Sequence, residues 1–338
     1  MTITAVARRA GVSIATVSRV INGSAKVSPQ TAEQVREAIE ALNFYPDTNA
    51  RALGSGRSSL YGLIISDITN PFFPELVKAF EDIAVAHQQE VLIANTDYDP
   101  KRMELCVSRM LQRKVDGVAI MTSEMDERLV EVFSHRRVPL VFLDTATVPA
   151  GVSSIRIDYD TGVALAMEHL TGLGHTRIAF ITGPLWLHSA QIRKQAFEAA
   201  MQHREIAVAE HMIQSGNHRA DGGFAAMERI LAVMPLPTAV FCSNDLTAIG
   251  AMGAIHARGL RIPEDISILG YDDILLSSYT RPALTTLRIS RTEIAATAFR
   301  SLFHRRGQPI PVGASDQTHV ISPELIKRSS TGRVAAIA

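Results

Sequence analysis

The stretch from Ala5 to Asn22 constrains the N-terminal part of this chain more than any other. Ile3, Val6, Ala7 and Ala10 recur at three- and four-residue steps, the apolar face of a first short helix. Gly11 can adopt positive φ and end that helix in a tight turn. Ser13 is placed to cap a second helix, its hydroxyl covering backbone amides that lack intrahelical partners. Within that helix Val17, Val20 and Ile21 face inward, leaving Ile14, Ala15, Thr16, Ser18, Arg19 and Asn22 on the outside. A helix this short does not stand alone in water. The partner it needs follows: Ser28-Pro29 opens a third helix, Val35, Ala38, Ile39 and Leu42 give it an inner face, and Asn43-Phe44-Tyr45-Pro46 stops it. The exposed face of the second helix is small and hydrogen-bonding with one guanidinium, which suits a DNA major groove ~12 Å wide. Two core helices of an ordinary small bundle would share the same apolar spacing.

The full chain of 338 residues is too long for one typical domain and suits a small module followed by a larger one. Its charge is zero overall but unevenly spread. Residues 1–59 hold seven Lys/Arg against four Asp/Glu, a net +3, which leaves −3 for the remainder. A basic module on a near-neutral body fits a nucleic-acid binder better than a general polyelectrolyte. No run approaches the ~20 apolar residues of a membrane span, and no long apolar leader opens the sequence, so a cytoplasmic protein is expected. Cys106 and Cys242 are far apart, without metal-ligand spacing, and read as core thiols. The histidines show no metal spacing either, and no cofactor is expected.

From Leu60 the texture changes. Short apolar runs at 61–66, 91–94, 117–121, 139–143, 177–182, 238–243 and 266–270 fit strands buried on both faces of a parallel sheet. Between them lie helical stretches such as 74–87, 162–173 and 192–203. This alternation predicts α/β units with right-handed crossovers, in two groups divided near residue 160.

The run Ala10-Gly-Val-Ser-Ile-Ala-Thr-Val-Ser-Arg-Val-Ile-Asn-Gly23, followed by Val27-Ser-Pro-Gln-Thr31, resembles the lactose/galactose-repressor (LacI/GalR) family of bacterial transcription regulators. The likeness extends through nearly the whole chain. It implies a small all-α helix-turn-helix domain followed by an α/β periplasmic-binding-protein-like domain of two Rossmann-like lobes. The boundaries expected are 1–46 for the DNA-binding module, 47–59 for a hinge, and 60–338 for the effector-binding domain. Its first lobe is set at about 60–160 and 289–318, its second at about 161–288 and 319–330. The family usually carries an acidic residue where this chain has Ala5, a favourable charge near a helix N-terminus that is lost here. By residues alone, Asp47–Gly56 is helix-prone for six or seven positions and then a flexible linker. The resemblance makes it a hinge helix that orders on DNA, with Leu53 as the apolar wedge in the minor groove. The DNA-facing set is then Thr2, Thr4, Ser13, Ile14, Ala15, Thr16, Ser18, Arg19, Asn22, Lys26, Asn49 and Leu53.

Open α/β sheets bind ligands at the carboxyl ends of their strands. There the first run leads into Asn70-Pro71-Phe72-Phe73, which serves equally as a helix cap with core aromatics. The resemblance matches Phe72 and Phe73 to aromatic positions over the effector, Arg193 to a pocket arginine and Asp272 to a hydroxyl-binding aspartate. Ala196 stands where the family usually has Gly. Asn70, Asn244 and His218 complete the effector set, His218 on the weakest signal. Asp245 and Asp273 read as helix caps or lobe contacts. Trp186, the single tryptophan, follows the strand leading toward this pocket.

Two rival functions remain. An enzyme would need a glycine-rich fingerprint, a P-loop, a nucleophile elbow or a metal cluster, and none appears. A free sugar-binding protein would share the lobes but has no use for the DNA module. The expectation is therefore a regulator that binds double-stranded operator DNA as a homodimer and answers to a small effector, a sugar or derivative, acting as inducer or corepressor. The C-terminal ten residues are too few for tetramer-forming heptads.

Overall fold

The computed structural model describes residues 2–21, 26–45, 57–122, 127–144, 152–304 and 318–334. The chain divides into two compact units, Met1–Ser59 and Leu60–Ala338.

The first unit contains α1 (Ile3–Ala10), α2 (Ile14–Ile21) and α3 (Pro29–Ala41). The Thr2 hydroxyl accepts from the Ala5 amide at 3.4 Å to start α1, and Gly11 ends it at φ 65°. That conformation carries little penalty only for glycine. The Ser13 and Ser28 hydroxyls accept from the Thr16 and Thr31 amides at 3.1 and 3.2 Å, opening α2 and α3. Val6, Ala7, Val17, Val35 and Ala38 form the buried centre, with Ile3, Val20, Ile21, Ile39 and Leu42 packed around it. Five buried residues make a small core, so the three helices depend on one another. Asn22, Asn49 and Leu53 lie outside the described residues.

The second unit holds two sheets. The first comprises β1 (Leu60–Ile65), β2 (Glu90–Asn95), β3 (Gly117–Met121), β4 (Leu140–Leu143), β5 (Ser153–Ile157) and β11 (Thr318–Ile321), in spatial order β11-β5-β4-β3-β1-β2, all parallel. The second comprises β6 (Ile178–Thr182), β7 (Ile213–Ser215), β8 (Ala239–Cys242), β9 (Ser267–Asp272), β10 (Thr285–Arg288) and β12 (Glu324–Ile326), ordered β12-β10-β9-β8-β6-β7. Only β12 runs antiparallel to its neighbour. Helices α4 (Phe72–Ala86), α5 (Pro100–Gln112), α6 (Glu127–His135), α7 (Tyr159–Gly172), α8 (His188–His203), α9 (Ala220–Leu231), α10 (Asp245–Ala257) and α11 (Arg291–His304) join the strands.

The chain passes between lobes after β5, after β10 and after β11. Strand pairing gathers these crossings, because Ile157 lies opposite Ile321 and Arg288 opposite Glu324. The third crossing corrects the expected boundary. Thr318–Ile321 is the edge strand of the first sheet, so the second lobe resumes only at Glu324. β5, β7, β10, β11 and β12 are absent from the apolar runs of the sequence. Thr285 and Thr286 of β10 are fully buried, but their hydroxyls bond Thr331 and Asp245, which offsets the desolvation of a polar strand. α4, α7 and α8 also begin two to four residues earlier than the sequence pattern suggests.

Candidate effector cleft and DNA-facing helix

One cavity of about 90 Å³ lies where the carboxyl ends of both sheets meet. Ser66 and Asn70 reach it after β1, Thr122 after β3, Asp144 after β4, Arg193 from α8, His218 after β7, Asn244 after β8 and Asp272 from the end of β9. Phe72 and Phe73 of α4 border it as well, so all seven effector positions chosen from sequence face one space.

Local structure sets each side chain. The Asn70 side-chain oxygen accepts from the Phe72 amide at 3.2 Å, and the helix begins at Phe72 rather than Pro71. Arg193 is buried between the rings of Tyr159 and Tyr271, at 5.0 and 5.4 Å from their centroids. Its Nη1 donates to the Ser243 carbonyl at 2.7 Å and its Nε to the Ser189 carbonyl at 3.1 Å. Much of the guanidinium is thus committed to the scaffold. Asn244 caps α10, accepting from Thr247 at 2.9 Å, while its amide donates to the His218 carbonyl at 2.9 Å.

His218 sits at φ 62°, and its imidazole lies so close to Gly183 that a Cβ there would meet Nε2 at 1.9 Å. Burial, with Arg193 nearby, pushes the ring down to about 3, so it is neutral. Asp272 stands at φ 108°, a conformation that costs energy and is held from outside. Its carbonyl accepts from Arg291 Nη1 at 2.5 Å. Burial, reinforced by Asp245, pushes the Asp272 carboxyl well above the usual range.

Asp245 and Asp273 are not helix caps, and Asp273 is a lobe contact, its carbonyl accepting from Arg291 Nη2 at 2.8 Å. The Asp245 carboxylate accepts from Ser277, Thr286 and the Ile274 amide, fastening the segment after β9. Asp273 binds Arg288 at 2.7 Å and Arg328 at 2.6 Å. Sequence reasoning missed Asp144, which lies at the end of the apolar run 139–143. Its carboxylate accepts from the Ile157 amide at 2.8 Å and the Tyr159 hydroxyl at 2.5 Å. Burial raises it to about 6 against those bonds.

Polar contacts span the lobes beside the cavity. Arg219 reaches across to Asp67 at 3.0 Å and Asp97 at 3.1 Å. Burial pushes Asp67 up, but the bonds from Thr69 and Arg219 more than offset it and hold it below the usual carboxylate range. Glu75 accepts from the Leu275 amide at 3.0 Å, and Arg291, paired with Glu75 at 2.9 Å within the first lobe, donates across to the Asp272 and Asp273 carbonyls at 2.5 and 2.8 Å. Among the described residues no His, Cys, Asp and Glu cluster could hold a metal ion, and no helix is long and apolar enough to cross a membrane.

In the first unit Ile14 is 46% exposed, Ala15 and Arg19 are exposed, and Thr16 and Ser18 are half-buried. Thr16 and Ser13 share a hydroxyl–hydroxyl bond of 2.9 Å. Thr4 and Lys26 are exposed, and Thr2 is engaged as the α1 cap.

A capped helix-turn-helix module joined to a two-lobed domain with a polar cleft defines a DNA-binding regulator that senses a ligand. Residues 2–47 match the model of bacterial regulatory proteins of the lacI family, and residues 167–331 match the periplasmic binding protein-like domain. The HTH-type transcriptional repressor PurR of Histophilus somni is 33% identical, covering 97% of this chain and 98% of its own. The ribose operon repressor of Escherichia coli is 35% identical over 96% and 98%. The solved Lac repressor dimer, bound to operator and the anti-inducer ONPF, superposes with a TM-score of 0.87 at 31% identity, covering 98% and 99%. The chain belongs to the LacI family. It is an effector-responsive DNA-binding transcriptional repressor, and its close relatives are repressors rather than enzymes.

Proposed function

We propose that this repressor works in the cytoplasm as a homodimer on a two-fold operator and is controlled by a small, uncharged, hydroxylated effector of the monosaccharide type. The observation that carries the effector class is the charge balance of the cavity. Two buried carboxyls, Asp144 and Asp272, face it against one guanidinium that already serves backbone carbonyls. Carboxyls hydrogen-bond sugar hydroxyls whether protonated or ionised, whereas a phosphate or carboxylate on the ligand would find a single guanidinium already committed to carbonyls. Asn70, His218 and Asn244 supply further polar edges, and Phe72 and Phe73 an apolar wall. The ribose operon repressor among its relatives is in keeping with this class.

Effector held between the lobes favours one lobe orientation, and that preference is coupled to operator affinity. On DNA, Arg19, Ile14 and Ala15 read bases, while Thr2, Thr4, Ser13, Thr16, Ser18, Asn22 and Lys26 hold phosphates. Asn49 and the Leu53 wedge act from the hinge segment.

A thermal-shift screen of neutral sugars, phosphosugars, sugar acids and purines tests the effector class, since a bound ligand stabilises the fold by mass action. A phosphosugar or purine as the sole hit would overturn it. On the DNA side, Arg19→Ala should cost about 1–3 kcal/mol at the operator and relax specificity. Equal losses on operator and random DNA in a gel-shift titration would contradict the base-reading role.

A further inference from the structure

The three crossings between the lobes leave from one edge of each sheet. They involve β5 and β11 in the first and β10 and β12 in the second, the two strands that begin each spatial order. The opposite edges, β2 and β7, carry no crossing. β2 stands four strand spacings from β5, and β7 four from β10. At about 4.8 Å each, the far edges lie about 19 Å from the crossings.

The lobes meet again at those far edges. Asp97 and Tyr98 follow β2 and Asp67 follows β1, while Arg219 follows β7 and Trp186 follows β6. Arg219 Nη2 donates to Asp67 at 3.0 Å and to Asp97 at 3.1 Å, and its Nε donates to Asp67 at 3.1 Å. Tyr98 stands edge-on to Trp186, with ring centroids 5.7 Å apart and planes at 83°. One ionic and one aromatic contact thus tie together the two edges that the chain itself leaves unconnected.

Lever arms decide which contacts yield first. Opening the lobes by about 10° about the crossings would part groups 19 Å away by about 3 Å, enough to break the Arg219 bonds. Asp272 lies on β9, one spacing from β10, so the same rotation moves its bond from Arg291 by only about 1 Å. The far contacts are also fastened to the cavity wall. Arg219 directly follows His218, the Asn217 side-chain oxygen accepts from the Arg219 amide at 3.0 Å, and Asn244 donates to the His218 carbonyl at 2.9 Å. Arg193, His218 and Asp272 are all buried, so a molecule held among them leaves when the lobes part.

We infer that Arg219 with Asp67 and Asp97, together with the Tyr98–Trp186 pair, forms a clasp that shuts the lobes at the edge farthest from the crossings and sets how long an effector stays in the inner cavity. Arg219 is a positioning residue, outside the cavity lining and acting through lobe orientation. The residence-time role rests on the reading of the cavity as a monosaccharide site, whereas the clasp itself does not. Arg219 and Asp97 are half-exposed, so salt weakens their pairing.

Spin labels on Lys101→Cys and Ala225→Cys, exposed positions of the first and second lobes, measure the opening by pulsed electron resonance. Both natural cysteines are buried. The labelled full chain is diluted into unlabelled chain so that each distance lies within one protomer. Without any sugar, Arg219→Ala should add a population longer by about 3 Å or more, and about 1 M NaCl should do the same to the chain with Arg219 intact. Salt should add nothing further in Arg219→Ala. Asp97→Asn, whose amide tolerates the left-handed backbone at φ 51°, should lengthen the distance in smaller measure. Distances unchanged in both variants overturn the clasp. Stopped-flow release of ribose, glucose or galactose, whichever binds, should be about two- to fivefold faster in Arg219→Ala, with association within about twofold. Unchanged release alongside longer distances overturns the residence-time role. If none of the three sugars binds, the monosaccharide reading fails and the residence-time role with it, and the distances alone decide the clasp.

Discussion

The two lobes share one strand order yet contribute differently to the cleft between them. In each sheet the lobe's first strand lies between its second and third, with the fourth and fifth beyond. The first lobe offers a wall of Phe72, Phe73, Asn70 and Ser66, with one buried carboxyl, Asp144. The second offers Arg193, His218, Asn244 and Asp272. Its anchors stand on a stiff base, where Phe180 stacks on Phe241 at 5.0 Å and packs against Phe197 at 4.9 Å. Equal topology gives both lobes strand ends facing the cleft, and the side chains placed there divide the labour. The second lobe brings most of the polar groups to the cleft and the first an aromatic wall, and the Arg219 and Glu75 contacts link the two.

Arg193→Met breaks this division most severely. Removing the guanidinium leaves the buried Ser243 carbonyl without that donor, about 1–3 kcal/mol for such a group, and takes a second bond from the half-buried Ser189 carbonyl. At roughly 2–4 °C per kcal/mol for a unit of this size, calorimetry should show a Tm several degrees lower. Effector affinity should fall about a hundredfold. An unchanged Tm would mean that Arg193 is not part of the second lobe's frame.

Asp272→Asn sharpens the contrast, because binding and stability should move apart. Losing a charge-assisted bond costs about 1.5–3 kcal/mol, so titration should show affinity down by about tenfold to a hundredfold. The fold should not suffer. Burial keeps the Asp272 carboxyl well above its ordinary range, so the folded state retains a proton that the unfolded chain releases near pH 4. Its contribution to stability is full below that pH and declines as pH rises through the raised folded value. The amide removes this decline, and Tm near pH 8 should hold or rise slightly. Effector hydroxyls favour the ionised form, so binding to the unsubstituted chain should weaken as pH falls through the same range. A large drop in Tm would assign Asp272 to the scaffold instead.

Arg219→Ala is the mildest test. The arginine is half-exposed although its partner Asp67 is buried, so the pair is worth only about 0.2–1 kcal/mol. Affinity should fall about two- to fivefold with Tm nearly unchanged. A loss matching that of Asp272→Asn would place ligand holding in both lobes alike.

The parts legible in the sequence share a physical basis. Gly11, Ser13, Ser28 and Pro29 act through their immediate backbone, and the helices they delimit form where those residues stand. The strands at 117–121 and 178–182 are continuous apolar runs because both faces of the sheet are covered. β10 was hidden because its threonines meet partners at positions 245 and 331, far along the chain. The edge strands β7, β11 and β12 are three or four residues long and carry little apolar signal.

By itself, then, the sequence determined the capped three-helix module, the α/β alternation and the residue types gathered near strand ends, all of which depend on neighbours within a few positions. Only the tertiary structure decided that β11 closes the first sheet and that Asp144, Tyr159 and Tyr271 surround Arg193. It also decided that Asp245 fastens the segment after β9 instead of capping a helix. Those outcomes depend on partners tens to hundreds of residues away, and on burial that raises Asp144 and Asp272 while silencing His218. No local pattern encodes a desolvated neighbour, because desolvation is a property of the packed interior.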